Sequence, residues 1–157
     1  RPTQGRASIF GKDVQSERQA LRKVGAMVEN PAFYGYMNGR DNLVVLARTA
    51  GVYDPERTDH LLKIVGLGKN ANRQVKGYSL GMKQRLGIAA ALLNDPELVL
   101  RDEPTNGLDP AGIQEMRALI RTLVEKYEKT VFICSHLLYE VEQVCDQVAI
   151  INKGEII

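Results

Sequence analysis

The feature that most constrains this chain is an apolar strand pattern that ends in two acidic residues and a rigid turn. Residues 98–102 read Leu-Val-Leu-Arg-Asp, and Glu103 is followed directly by Pro-Thr-Asn-Gly-Leu-Asp-Pro. A buried strand of a parallel sheet presents its last side chains at the edge where open α/β sheets bind nucleotides. We therefore expect Asp102 to hold a hydrated Mg²⁺ and Glu103 to orient or deprotonate water. An isolated Asp-Glu pair would indicate only a solvated strand end, and the flanking sequence favours the site.

Length and composition fit one ordinary domain with a hydrophobic core. The chain has 157 residues, 44% of them hydrophobic and 25% charged, with a net charge of +2. This charge gives no indication of a nucleic acid or an anionic membrane as partner. No apolar run approaches the roughly 20 residues that cross a bilayer. Cys134 and Cys145 lie in apolar sequence and are interpreted as reduced, buried thiols.

Strand and helix patterns alternate along the second half, which predicts a parallel α/β sheet. Strands are expected at residues 7–10, 24–28, 98–102, 130–134 and 148–151, with a tight turn at 152–154. A short helix is expected after a capping box at 16–19, and longer helices from Asn38 to 50 and from Asp54 to about 66. A further helix is expected to end at 94, another to begin at Asp109, and a last one to cover 136–144. Residues 31–94 are therefore mainly helical.

A second motif surrounds a helix start. Ser79 is a good N-cap, and Gly81 lets an anion approach the backbone at the positive end of the helix. A plain capped helix is the simpler interpretation of Ser-x-Gly alone. The following Lys83-Gln84-Arg85 and the Ala-rich helix favour a phosphate site.

One residue does not fit its expected environment. Arg101 occupies a position that should face the interior of a central strand, where a guanidinium is costly unless it is paired or reaches the surface. The alternative is a strand that ends one residue early.

Together these motifs resemble the nucleotide-binding subunit of an ATP-binding cassette (ABC) transporter. Residues 78–82 correspond to the family's signature loop, Leu-Ser-Gly-Gly-Gln. Asp102 and Glu103 correspond to the Walker B pair, residues 106–109 to the D-loop, and His136 to the switch histidine that senses the γ-phosphate. The Q-loop follows the strand at 24–28, where Glu29 replaces the usual Gln.

The resemblance implies a P-loop NTPase-like parallel sheet flanked by helices, with an inserted helical subdomain at about 31–94 between core pieces 1–30 and 95–157. It implies ATP and Mg²⁺ as cofactors, with Asp102 as the metal ligand and Glu103 and His136 as catalytic residues. The residues assigned to nucleotide binding are Glu29, Ser79, Gly81, Gln84 and Asp109. The sequence contains no Gly-x-x-x-x-Gly-Lys-Ser/Thr loop. The first strand, this Walker A loop and the first helix would precede Arg1, so we expect an N-terminally truncated cassette.

The resemblance also implies partners and a location. Two cassettes would form a homodimer head to tail, with each ATP between the Walker motifs of one subunit and the signature loop of the other. A separate transmembrane permease would hold the dimer at the cytoplasmic face of the membrane. The sequence Glu-Asn-Pro-Ala-Phe-Tyr from Glu29 resembles the subgroup that exports bacitracin-like and lantibiotic peptides and gives antibiotic resistance.

Two functions remain open at this point. In the first, the intact protein is a transport ATPase, and the presence of Glu103 and His136 favours it. In the second, the chain is a non-hydrolysing dimerisation or regulatory cassette, and Arg101 and the missing Walker A loop favour it. The chain on its own is expected to hydrolyse ATP negligibly. A nucleic-acid role is not supported, because no basic cluster or set of stacking aromatics shares one element.

Overall fold

The computed structural model of the protein describes residues 4–28 and 32–157. In chain order the strands are β1 (Ser8–Ile9), β2 (Lys12–Asp13), β3 (Val24–Met27), β4 (Leu98–Asp102), β5 (Thr130–Cys134), β6 (Ile151–Asn152) and β7 (Glu155–Ile156). The α-helices are α1 (Gly39–Thr49), α2 (Pro55–Ile64), α3 (Leu80–Ala91), α4 (Pro110–Glu125) and α5 (Leu138–Val144). Short 3₁₀ helices cover Arg18–Lys23, Gly68–Asn70 and Val75–Gly77.

A parallel sheet of order β3-β4-β5 organises the described part of the chain. Its central strand pairs Val99 with Gly25 on one side and with Val131 on the other. Helices α1 to α3 form the connection from β3 to β4, and α4 forms the connection from β4 to β5. The predicted parallel α/β sheet is thus confirmed. The division into a core and a helical subdomain at about 31–94 stays a prediction.

The helices cover one face of this sheet. A Cβ atom on Gly25 would lie only 2.2 Å from the carbonyl oxygen of Ala91, so glycine is required where α3 crosses β3. Val99, which alternation places on the same face, is fully buried. On the opposite face Phe132 is 58% exposed and Ala26 is also exposed. The core therefore lies between the sheet and α3, α4 and α5.

Four of the predicted helix starts are confirmed by their capping hydrogen bonds. The side chains of Asn38, Asp54, Ser79 and Asp109 each accept a hydrogen bond from a backbone N–H in the first turn of α1, α2, α3 and α4. These bonds satisfy donors that have no partner inside the helix. Local sequence was sufficient here because each cap contacts residues only two or three positions away.

Two element predictions need correction. The short helix expected after the capping box at 16–19 is a 3₁₀ helix that begins at Arg18, and Ser16 does not cap it, because the Asp13 carboxylate accepts hydrogen bonds from the N–H groups of Gln15 and Ser16. The strand expected at 148–151 does not join the sheet. Only Ile151 and Asn152 pair, in the hairpin with β7 that closes at the predicted tight turn.

The prediction of buried thiols is also wrong. Cys134 is exposed and Cys145 is half-buried. Alternation along β5 directs Cys134 to the same uncovered sheet face as Phe132. Partial burial, followed by the charge of Asp146, raises the pKa of the Cys145 thiol.

In the described ranges, no helix combines the length and the apolar character needed to cross a membrane.

Arg57 connects α2 to the end of α3 and to the loop before β4. Its Nε donates to the carbonyl oxygen of Leu93 at 3.0 Å, and its Nη2 donates to that of Leu92 at 2.8 Å. Nη2 also lies 3.2 Å from the Asp95 carboxylate, which in turn accepts from Lys129 at 2.9 Å. The hydrogen bond from Lys129 is the main reason that the pKa of Asp95 is lowered.

Replacing Arg57 with alanine should therefore weaken the attachment of α2 to the end of α3 and to the loop before β4, within the helical segment of residues 32–94. We expect the free energy of unfolding to fall by about 1–3 kcal/mol, because two partly buried carbonyl groups lose a charged donor. Arg121→Ala is the matched control, since it removes an exposed ion pair with Asp146 and should cost less than about 1 kcal/mol. Urea unfolding followed by circular dichroism measures both, and equal losses would contradict this account.

The cap of α4 allows a second stability test. Asp109 Oδ1 accepts from the Gly112 N–H at 2.9 Å. Asp109→Ala should lower the free energy of unfolding by about 0.5–2 kcal/mol, whereas Asp109→Asn should stay close to wild type because an amide oxygen also caps well. Thermal or urea unfolding of the three proteins decides the point, and an unchanged alanine variant would show that the cap is dispensable.

Candidate functional site

Asp102 and Glu103 lie at the carboxyl end of the central strand. Asp102 is the last residue of β4 and is half-buried. Glu103 has a φ of 44°, in the left-handed region that few non-glycine residues adopt, and its N–H donates to the carbonyl oxygen of Cys134 at 2.9 Å. This bond continues the pairing of β4 with β5 by one residue. The chain therefore turns sharply at Glu103 while Glu103 stays attached to the sheet.

The structure brings Glu103 and His136 together from neighbouring strands. His136 Nδ1 lies 2.8 Å from Glu103 Oε1, and the His136 N–H donates to the same oxygen at 3.1 Å. Because an ionised carboxylate only accepts, the ring contact requires the proton on Nδ1. The His136 side chain is 67% exposed and that of Glu103 29%, so the pair faces solvent. The helix expected from residue 136 begins only at Leu138, since Glu103 holds the preceding residues.

Ser135 is a site residue that sequence reasoning missed. Its hydroxyl donates to Glu103 Oε2 at 3.4 Å and accepts from the Leu137 N–H at 3.1 Å. The signal available in the sequence was the Ser-His dipeptide after a predicted strand, which drew attention only to the histidine.

The start of α3, the candidate anion site, is a capped helix N-terminus. Ser79 Oγ accepts from the Met82 N–H at 3.2 Å, and the Ser79 carbonyl accepts from the Lys83 N–H at 3.0 Å. A Cβ atom on Gly81 would meet only Leu108 Cδ2, at an ordinary 3.7 Å. The packing of the chain itself therefore does not require a glycine at position 81, whereas close approach of an anion to the backbone would.

The residue before this cap is anchored in the helical segment. Tyr78 is 5% exposed, and its hydroxyl donates to the Asn70 carbonyl at 2.7 Å. Burial raises the pKa of Tyr78. The hydroxyl also occupies the space beside Gly39, where a Cβ atom would come within 2.4 Å. Tyr78 thus fixes the point at which the chain enters α3.

The predicted D-loop packs against the start of α3. A Cβ atom on Gly107 would lie 3.0 Å from Leu80 Cδ2, and Gly107 has a φ of 73°. The turn is closed by the Asn106 N–H, which donates to the Glu103 carbonyl at 3.2 Å. Asp109 ends this loop as the cap of α4. The predicted signature loop and the turn after Glu103 are therefore in direct contact.

Arg101 lies in the interior, and the alternative that β4 ends early is wrong. It is 2% exposed, and its Nη2 donates to Gln84 Oε1 at 2.6 Å. Burial lowers the pKa of Arg101 to about 10, and the charge of Asp102 opposes this shift. Gln84 is 3% exposed, so this residue assigned to nucleotide binding faces Arg101 inside the protein. Glu29 lies outside the described residues.

Comparison with known proteins agrees with this geometry. The protein-family model described as ABC transporter matches residues 1–106. The chain is 47% identical over 158 residues to the bacitracin transport ATP-binding protein BcrA of Bacillus licheniformis. This match covers 100% of this chain and 52% of BcrA. It is 45% identical over 150 residues to the lantibiotic transport ATP-binding protein SrtF of Streptococcus pyogenes, covering 96% and 65% of the two chains.

A solved structure supports the fold. The chain superposes on cbiO1 of Clostridium perfringens, part of the ABC transporter complex cbiONQ, with a TM-score of 0.86 and 24% sequence identity. The match covers 99% of this chain and 65% of cbiO1. It confirms the predicted P-loop NTPase-like fold.

The curated relatives named for bacitracin and lantibiotic transport confirm the subgroup resemblance as well. The chain spans about half the length of the first of these relatives, 52% of BcrA. On the family match and the motifs together, this chain belongs to the ABC transporter family of ATP-binding proteins.

Proposed function

We propose that the intact protein is the ATP-hydrolysing subunit of an ABC transporter that exports peptide antibiotics or similar compounds. The observation that carries this proposal is the contact between Glu103 and His136 beside Asp102, at the carboxyl ends of adjacent parallel strands. A carboxylate held next to an imidazole at a nucleotide-binding edge is suited to activating water. The names of BcrA and SrtF support the choice of substrate.

The donor groups fit ATP and Mg²⁺. A carboxylate oxygen at a strand end is the kind of hard ligand that Mg²⁺ prefers, and Asp102 supplies it. Bound Mg²⁺ would neutralise charge on the phosphates. Ser79 and Gly81 would bind phosphate through the start of α3, in the ATP of a second cassette. Asp109 would support this contact through the turn that it ends.

Within this arrangement Glu103 would orient the attacking water and accept its proton. His136 and Ser135 would set the direction of the carboxylate, because they contact its two oxygens. His136 would also sense the γ-phosphate, since its ring is exposed at the same edge. Glu29, which follows β3 by two residues in the sequence, would complete the site.

A transmembrane permease would be the second partner, placing the cassette dimer at the cytoplasmic face of the membrane. The helical segment offers an exposed aromatic pair for this contact. Tyr34 is 52% and Tyr36 70% exposed, with ring centroids 5.8 Å apart. Exposed aromatic residues are common anchors in protein interfaces.

The alternative function is a non-hydrolysing dimerisation or regulatory cassette. The observation that favours it is the buried Arg101, a cation directly before the predicted metal ligand. Its positive charge would weaken the attraction of Mg²⁺ to the Asp102 carboxylate.

Glu103→Gln in the intact gene product, assembled with its permease, separates these functions. We expect steady-state ATP hydrolysis to fall at least about 100-fold, because an amide accepts no proton from water. Binding of ATP, measured by equilibrium dialysis, should remain. Glu128→Gln is the matched control: Glu128 is also a loop glutamate with positive φ, 52°, and its variant should keep wild-type turnover.

Wild-type turnover in the Glu103→Gln protein would contradict the catalytic role. A wild-type protein that dimerises with ATP but never hydrolyses it would establish the alternative.

A further inference from the structure

The buried contact between Arg101 and Gln84 connects two parts of the candidate site. Arg101 is the residue before Asp102, on the strand that ends in the two carboxylates. Gln84 lies in the second turn of α3, the helix that Ser79 caps. One hydrogen bond of 2.6 Å therefore joins the strand of the carboxylates to the helix of the predicted phosphate site.

This contact fixes direction as well as distance. Leu80 and Leu108 add apolar contacts against Gly107 and Gly81, and such contacts constrain direction less than a hydrogen bond does. A hydrogen bond from a guanidinium weakens when its angle changes. The bond lies wholly inside the protein, since Arg101 is 2% and Gln84 3% exposed, so water cannot replace it.

The contact is not explained by stability. Arg101 Nε and Nη1 have no hydrogen-bond partner among the described residues. Its partners across the sheet are the apolar Met27 and Ile133. An apolar side chain of similar volume often packs at such a position with equal or greater stability.

We propose that Arg101 is a positioning residue, which holds α3 at a fixed angle to the end of β4 through Gln84. The two halves of the site then keep their relative placement. Asp102 and Glu103 form the half that faces the chain's own ATP, and Ser79 belongs to the half that faces the ATP of a second cassette. This inference rests on the proposed function.

The test uses Arg101→Leu, Gln84→Leu and the double variant in the intact gene product, with Arg48→Leu as an exposed control. We expect kcat for ATP to fall about tenfold in each single variant, with KM changed less than about twofold, because placement of the transition state is lost and ground-state binding is not. The double variant should fall no further than either single variant. The Tm of Arg101→Leu should equal or exceed that of wild type.

Three results would overturn the inference while leaving the proposed function intact: wild-type kcat in Arg101→Leu, losses that multiply in the double variant, or a kcat loss in Arg101→Leu that simply follows a lower Tm. If Arg101→Leu fails to fold, Arg101→Met decides in its place, since Gln84→Leu alone would leave the buried guanidinium without its hydrogen-bond partner. A lower kcat at constant KM then supports the inference, and wild-type kcat overturns it. Absence of turnover in the wild-type protein would overturn both proposals.

Discussion

The parallel pairing of β4 with β3 and β5 is the constraint on which the rest of the structure depends. Parallel strands end at the same edge, so Asp102 and Glu103 necessarily meet the residues that follow Cys134. The bond from the Glu103 N–H to the Cys134 carbonyl extends this pairing beyond the strand. Local strain at Glu103, with its φ of 44°, is tolerated because this bond and the His136 contacts hold the residue on both sides.

Capping and ligand binding use the same chemistry at the helix starts. Ser79 and Asp109 satisfy N–H groups of α3 and α4 in the structure, and both were assigned to nucleotide binding by the resemblance. A helix start presents several N–H groups, of which one side chain satisfies only part. The two starts are connected through the turn at Gly107, which contacts Leu80. The residues that cap α3 and α4 therefore lie on two segments that contact each other.

The sequence allowed much of the fold and part of the site to be predicted, and the limit is physical. Helix caps and the strands β3, β4 and β5 depend on neighbouring residues or on runs of apolar side chains. Cys134 is exposed because it lies on the uncovered face of the sheet, which the sequence around it does not reveal. Ser16 fails as a cap because the Asp13 carboxylate accepts a hydrogen bond from its N–H. The pairing of Arg101 with Gln84 depends on the angle between α3 and β4, which no local pattern contains.

The energetics of Arg101 explain why its contact acts on geometry. Burial lowers its pKa to about 10, a shift that corresponds to a cost of roughly 3 kcal/mol for burying the cation. Because the folded pKa lies below the unfolded one, this cost is fully present at neutral pH and is relieved only as the pH rises above about 10 towards the pKa of the unfolded chain. A hydrogen bond to a charged group contributes about 1.5–3 kcal/mol, which nearly offsets it. The buried Arg101 and its hydrogen bond to Gln84 together thus add little net stability, which supports the positioning role proposed for them.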